Sequence, residues 1–197
     1  MRLTKAQRAE NHDRIIRVAA ELFREKGVDG VGIDEIMAAA SLTHGAFYGH
    51  FATKAALVAA ASAYALDHSG FHRFEEPGFE PAESFLDLAR RYLTIRHRDD
   101  PGHGCAIAAL GADVGRQESA VQESFAARLD GALAELAEKL PGERDAARRA
   151  AIVNYATIVG AMVMARSVGK TPLSAELLDT VRARLEQDDL KPARLEI

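Results

Sequence analysis

Apolar residues recur at three- and four-residue intervals along much of the chain, which is the spacing of one face of an α-helix. The first such stretch contains Ile15, Ala19, Leu22 and Phe23, with charged residues on its other faces. Gly27 follows a basic last turn, and glycine readily adopts the left-handed conformation that ends a helix. The pattern therefore predicts an amphipathic helix that ends at Gly27.

A second apolar stripe runs from Ile33 to Ala40, and acidic residues occupy its first turn, where the helix dipole favours them. A break at Ser41 follows. Thr43 is a suitable N-cap for a third short helix, whose Phe47 and Phe51 lie on one face. Two short helices joined by a tight turn, with aromatic rings holding the second against the first, predict a helix-turn-helix.

The same periodicity predicts six further helices and no convincing strand. The chain contains 38 alanines, and alanine is the strongest intrinsic helix former, so the composition favours the same all-α class. About nine helices are expected in total. Those after the helix-turn-helix are predicted at residues 53–74, 85–93, 104–114, 117–139, 145–168 and 174–187.

The net charge of −4 is unevenly distributed. Residues 1–54 contain eight Lys and Arg against seven Asp and Glu, whereas residues 55–197 contain 17 against 22. The first segment is only mildly basic, so contact with DNA would have to come from a few well-placed groups. We expect residues 1–54 to form a DNA-binding domain and residues 55–197 a second, helical domain.

One cysteine cannot form an internal disulfide framework, and the polar N-terminal residues do not resemble a secretory signal. Both observations favour a cytoplasmic protein.

The third helix is predicted to turn its apolar rings inward and its polar residues outward. Small residues near its start would let it approach base edges closely, and the next helix would bring a lysine to the same DNA backbone. The candidate DNA-binding residues are Thr43, His44, Gly45, Tyr48, His50 and Lys54.

Residues 30–57 closely resemble the DNA-binding signature of the tetracycline-repressor (TetR/AcrR) family. The family's Tyr-x-His-Phe-x-x-Lys core falls at Tyr48, His50, Phe51 and Lys54. The resemblance implies a homodimeric repressor that binds a near-palindromic, double-stranded DNA operator and releases it when a small molecule binds the C-terminal domain. It thus makes residues 55–197 the effector-binding and dimerisation domain. It also assigns Tyr48 and Lys54 to phosphates and His50 to a phosphate or a positioning contact.

By the same resemblance, Thr43, His44 and Gly45 face the groove. Three positions depart from the family pattern. Gly32 stands where many members have Ser or Thr, Ser41 where many have Gly, and His44 near a position where many have Arg. His44 and Gly49 therefore imply weaker or differently specific DNA recognition.

The apolar run from Ala150 to Ala165 contains Asn154 and Thr157 and is too short for a membrane span, which needs about 20 apolar residues. We therefore expect no membrane association. A helix that is apolar nearly all round must be covered on several sides, which favours dimerisation through residues 145–168 and 174–187, although both helices could simply close the monomer core. The candidate interface residues are Ala151, Tyr155, Ile158, Met162, Leu178, Val181 and Leu185.

Aromatic and apolar residues of the second domain give a candidate effector pocket. Its residues are Phe71, Phe85, Tyr92, Cys105, Leu110, Phe125 and Tyr155. Cys105, near His103 and a predicted helix start, is either a reactive thiol or a small packed residue, and the packed role is the better supported.

No resident metal, cofactor or enzymatic activity is expected. His68 and His72 are spaced as a metal-binding pair, with Glu75 and Glu76 close by, but no third His or Cys completes the pattern. The chain also lacks the glycine-rich phosphate loops and nucleophile motifs of common enzymes. Two alternatives stay open: a helical sensing module without DNA binding, and a helical-bundle enzyme.

Overall fold

The computed structural model describes residues 4–68 and 82–188. Within these ranges all regular structure is helical, which confirms the predicted all-α class. The helices are α1 (Lys5–Lys26), α2 (Ile33–Ala39), the 3-10 helix η1 (His44–Gly49), α3 (Lys54–Asp67), α4 (Phe85–Tyr92), α5 (Ile95–Asp99), α6 (Ala106–Val114), α7 (Ser119–Glu138), α8 (Arg144–Ser167) and α9 (Pro172–Asp188). The short helix α5 accounts for one more described helix than the nine expected.

The chain divides into two compact units. Among the described residues, the first unit comprises 4–68 and 101–126, and the second comprises 82–100 and 127–188. The first unit thus includes α6 in addition to the helix-turn-helix. This division concerns packing, so the functional boundary after residue 54 stays a prediction.

The core of the first unit is formed by α1, α2, η1, α3, α6 and the start of α7. Apolar side chains from these helices exclude water around the short η1, which could not be stable alone. The largest fully buried side chains of this core are Ile15, Phe23, Ile36, Met37, Phe47, Leu57 and Leu110.

Helix α1 begins and ends at clear local signals. Thr4 and Gln7 form a capping box, in which each side chain accepts a hydrogen bond from the other residue's backbone N–H. Gly27 ends the helix with a φ of 76° and donates its N–H to the carbonyl of Phe23. The predicted end of the first helix is therefore confirmed.

The turn between α2 and η1 is a Schellman motif. Leu42 N–H donates to the carbonyl of Met37, and Ser41 N–H donates to the carbonyl of Ala38. Ser41 has a φ of 58°, in the left-handed region, and no other described residue except glycine has a positive φ. The turn demands the conformation that glycine adopts most easily, and serine occupies it here.

Helix η1 has 3-10 rather than α geometry. Its ends are marked by bonds from Ala46 N–H to the Thr43 carbonyl and from His50 N–H to the Phe47 carbonyl, each spanning three residues. Gly45 and Gly49 weaken the α-helical alternative because glycine loses much conformational entropy in a helix. Burial of Phe47 holds this short segment in place.

In the second unit, polar side chains hold α5 to α8 and α9. Ser174 is fully buried, donates its hydroxyl to the Ala165 carbonyl at 2.7 Å, and accepts from Arg98 at 2.9 Å. Arg166 donates to the carbonyls of His97 and Arg98. The last helix was predicted to begin at residue 174, but α9 already begins at Pro172, and Ser174 ties that helix to α8.

Helix α8 is apolar on two opposite faces. One face packs inside the chain, and the other exposes 44–48% of the side chains of Ile152, Val153, Val163 and Met164. Within the described residues, α8 is also the helix long and apolar enough to meet the length and composition criteria for a membrane span. The first face is covered by other helices of the same unit, including α9, so the apolar residues of that face need no bilayer.

Candidate nucleic-acid interface

The two neighbouring aromatic rings of η1 point in opposite directions. The side chain of Phe47 is fully buried, whereas 64% of Tyr48 is exposed. The two rings meet edge-on with their centroids 5.3 Å apart. The buried ring therefore supports the exposed one, as the sequence pattern predicted.

Thr43 and His44 lie at the start of η1, and both are exposed. Thr43 occupies the predicted N-cap position, but its hydroxyl makes no capping hydrogen bond. The Nδ1 of His44 lies 2.5 Å from the Oδ1 of Asp34, in the first turn of α2. Gly45 is exposed, and a Cβ added there would have no neighbour within 4 Å, so the start of η1 is open to an approaching molecule.

His50 is half-buried beside a second histidine. Its ring centroid lies 5.8 Å from that of His12, which itself stacks on Phe51 at 4.6 Å. Burial, followed by the nearby His12 and Arg8, holds the pKa of His50 below its ordinary value of 6.5. Arg8 also donates a hydrogen bond to the Gly49 carbonyl, so α1 positions the end of η1 directly.

Lys54 is the first residue of α3, where Thr53 caps the helix by accepting from Ala56 N–H at 3.1 Å. The Nζ of Lys54 donates to the Val28 carbonyl at 2.8 Å. The amide N–H of Val28 donates to Asp113 Oδ2 of α6 at 3.2 Å. Val28 thus links Lys54, the predicted phosphate-binding residue, to α6 through hydrogen bonds at its carbonyl and its amide.

Sequence reasoning missed three residues that organise this surface: Arg8, Asp34 and Asp113. Asp34 was recognised only for its favourable place in a first helical turn. Arg8 and Asp113 form hydrogen bonds with backbone groups of residues far away in the sequence, Gly49 and Val28. Local residue spacing does not predict such long-range hydrogen bonds. The arrangement offers DNA an exposed phenol, a hydroxyl, an imidazole and an ammonium, which are donors suited to phosphate oxygens and base edges.

The structure corrects the choice of dimer residues. Ala151, Tyr155, Ile158, Met162 and Leu178 are buried inside the single chain, so a partner cannot reach them. Val181 and Leu185 are partly exposed. The accessible apolar face of α8 is the opposite one, formed by Ile152, Val153, Val163 and Met164. Dimerisation through α8 and α9 stays a prediction, with the exposed face as its surface.

The candidate pocket residues fall into both units. Phe85, Tyr92 and Tyr155 are buried in the second unit, and Cys105, Leu110 and Phe125 are buried in the first. Phe71 lies outside the described residues. The pocket they were predicted to form stays a prediction.

Cys105 is 2% exposed and occupies the N-cap position of α6. The neighbouring His103 is more than half exposed, and its Nε2 lies 3.4 Å from Glu21 Oε1 of α1. The burial of the thiol fits the role of a small packed residue better than that of an accessible sensor.

Within residues 4–68 and 82–188, no three His, Cys, Asp or Glu side chains are grouped as a metal site. Of the predicted histidine pair, His68 stacks on Tyr64 with centroids 3.9 Å apart. His72, Glu75 and Glu76 lie outside the described residues.

Comparison with known proteins places this surface in context. Residues 15–61 match the family model described as bacterial regulatory proteins, tetR family. The transcriptional regulator AcuR of Cereibacter sphaeroides is 34% identical over 128 residues, which cover 62% of this chain and 55% of AcuR. The HTH-type transcriptional repressor BepR of Brucella suis is 43% identical over 54 residues, 27% of this chain and 26% of BepR. The matches thus span less than two thirds of either relative.

The fold is shared over a longer span. A TetR transcriptional regulator from Chloroflexus aurantiacus superposes with a TM-score of 0.67 at 24% identity, covering 92% of this chain and 97% of the other. Residues 15–61 are thus similar to the DNA-binding segment of the tetR family of bacterial regulatory proteins, and the helical fold is that of a solved TetR transcriptional regulator.

Proposed function

We propose that this chain is a DNA-binding transcriptional repressor that binds a near-palindromic operator as a homodimer and releases it when a small molecule binds. The outer side of η1 carries the proposal: Thr43, His44 and Tyr48 are exposed around the fully buried Phe47. A helix with a buried anchor and a polar outer side suits insertion into the major groove. A protein that acts on bacterial DNA works in the cytoplasm.

The homodimer is supported by the exposed face of α8. A row of large apolar side chains at a single surface is costly in water, and a symmetric copy of the same row would cover it. A dimer presents two recognition helices, and each would bind one half-site of the operator. The centres of the two half-sites would lie one helical turn of DNA (~34 Å) or slightly more apart.

Release by a small molecule is supported by the family resemblance, whereas the names of the relatives, a regulator and a repressor, support only the regulatory role. Buried aromatic residues in α4 and α8, Phe85, Tyr92 and Tyr155, are the side chains that ligand sites commonly use. We place the effector contacts among these residues.

The test uses the full chain and two DNA pools: the region upstream of its own gene and a randomised library. Selective retention of a sequence with two inverted half-sites supports the proposal. Tyr48→Ala should reduce retention, because it removes an exposed phenol assigned to phosphate. Tyr64→Ala, in the last turn of α3, provides a tyrosine control. Failure of the wild-type chain to retain either pool would contradict DNA binding and favour a sensing module.

A further inference from the structure

The side chains of Asp34 and His44 meet across the turn of the helix-turn-helix. Asp34 lies in the first turn of α2 and His44 is the first residue of η1, and their Oδ1 and Nδ1 atoms are 2.5 Å apart. Both remain accessible, with 84% of the Asp34 side chain and 49% of the His44 side chain exposed. The pair therefore lies on the surface assigned to DNA rather than in the core.

The chemistry of the pair determines what His44 offers to a base. A carboxylate has no hydrogen to donate, so the Nδ1 of the ring must carry the hydrogen that the two groups share. Nε2 is then the ring nitrogen left for another partner. The contact also restricts rotation of the imidazole, so less conformational entropy is lost when Nε2 forms a hydrogen bond.

Resting on the proposed DNA-binding function, we infer that Asp34 is a positioning residue for sequence specificity. It holds the His44 ring so that Nε2 forms one hydrogen bond with a base edge in the major groove of each half-site. Because the ring offers one nitrogen rather than a two-pronged contact, its preference is confined to one base pair per half-site.

The charge of Asp34 gives the inference a distinctive signature. A carboxylate beside the groove repels phosphates, so Asp34 lowers affinity for DNA of any sequence while it raises discrimination through His44. Its neighbour Glu35 lies in the same helical turn with the same charge, but its Oε1 is 2.5 Å from Lys26 Nζ of α1. Glu35→Ala is thus a control matched for charge and position.

The experiment selects operators from a randomised double-stranded DNA library with full-length wild type and with the Asp34→Ala, Asp34→Asn, His44→Ala and Glu35→Ala variants. Competition against nonspecific DNA then measures discrimination for each variant. Loss of one net hydrogen bond predicts a three- to tenfold drop, roughly, at the base pair that His44 reads. Asp34→Ala and His44→Ala should lose preference at that same base pair. A variant carrying both Asp34→Ala and His44→Ala should lose no more preference than His44→Ala alone.

Asp34→Asn should retain part of the sequence preference, because its amide oxygen still accepts a hydrogen bond from His44 Nδ1. This variant keeps the experiment informative if Asp34→Ala destabilises α2. Asp34→Ala and Glu35→Ala should both bind nonspecific DNA more tightly, but Glu35→Ala should keep the wild-type preference. Full preference in both Asp34 variants, or equal loss in Glu35→Ala, would overturn the inference. If the wild-type protein selects no sequence at all, the proposed DNA-binding function is wrong, and the inference about Asp34 is wrong with it.

Discussion

Lys54 donates a hydrogen bond to the carbonyl of Val28 at 2.8 Å, so the lysine assigned to DNA is already held by its own protein. An ammonium has three donors, and one bond to a carbonyl leaves two for phosphate oxygens. The amide of the same Val28 is held by Asp113. The loop after α1 therefore fixes where the positive charge of Lys54 stands before DNA arrives.

Lys54→Ala should weaken binding to specific and nonspecific DNA alike, because a phosphate contact carries no sequence information. The dependence of the logarithm of affinity on the logarithm of salt concentration should become shallower by about one per half-site. Anisotropy titrations over a range of salt concentrations measure this slope. Lys170→Ala, which removes an 80% exposed cation after α8, should leave it unchanged. Equal slopes for wild type and Lys54→Ala would remove Lys54 from the phosphate contacts.

Ser41→Gly should stabilise the protein by about 1 kcal/mol, because it relieves the left-handed conformation that the Schellman turn imposes on serine. The midpoint of urea unfolding measures the change. Ser41→Ala retains a Cβ and should bring no such gain. If Ser41→Gly is no more stable than wild type, the turn stores no strain at this position.

Two nearby glycines should respond to substitution in opposite ways. Gly32 is the N-cap of α2 without a capping side chain, and a Cβ added there meets nothing within 4 Å. Gly32→Ser should therefore raise the free energy of unfolding by roughly 0.5–1 kcal/mol. A Cβ at Gly30 would lie 2.3 Å from the Lys26 carbonyl oxygen, so Gly30→Ala should destabilise. Thermal unfolding of both variants checks the contrast, and similar shifts would refute it.

The stability of the first unit should fall on mild acidification because of His50. The pKa of His50 is lower in the folded state than the ordinary 6.5, so the unfolded chain binds the proton first. Above the pKa of His50 in the unfolded chain, the histidine is neutral in both states and its contribution to stability is complete. That contribution decreases as the pH falls through 6.5, and it decreases no further below the pKa of His50 in the folded state. Urea unfolding of wild type and His50→Gln between about pH 8 and about pH 5 measures this. His50→Gln should show the weaker dependence, and identical curves would contradict the assignment.

Ile152→Asp should convert a dimer into a folded monomer, because it places a carboxylate in the exposed apolar face of α8, where Ile152 is 45% exposed. Light scattering gives the mass, and circular dichroism checks that the helices persist. Ile95→Asp is the matched control, since Ile95 is 53% exposed but lies on α5. A dimeric Ile152→Asp protein would show that copies meet elsewhere.

Local signals in the sequence predicted much of the fold. Gly27 and Thr53 mark helix boundaries because the conformation of a few residues decides them. The face that α8 turns inward was not predictable from periodicity, since Tyr155 and Ile152 are both large and apolar and only tertiary packing distinguishes them. The Asp34–His44 contact was missed for a related reason: it depends on how tightly the turn brings two helices together.

The two faces of α8 can evolve under separate constraints. Substitutions at Ala151, Ile158 or Met162 change the packing of the chain's own interior, whereas those at Ile152 or Val163 mainly change the outer face. A duplicated gene could therefore acquire a new pairing preference through the outer positions while its fold stays intact. Paralogues in the same cell would then form homodimers and not mixed dimers.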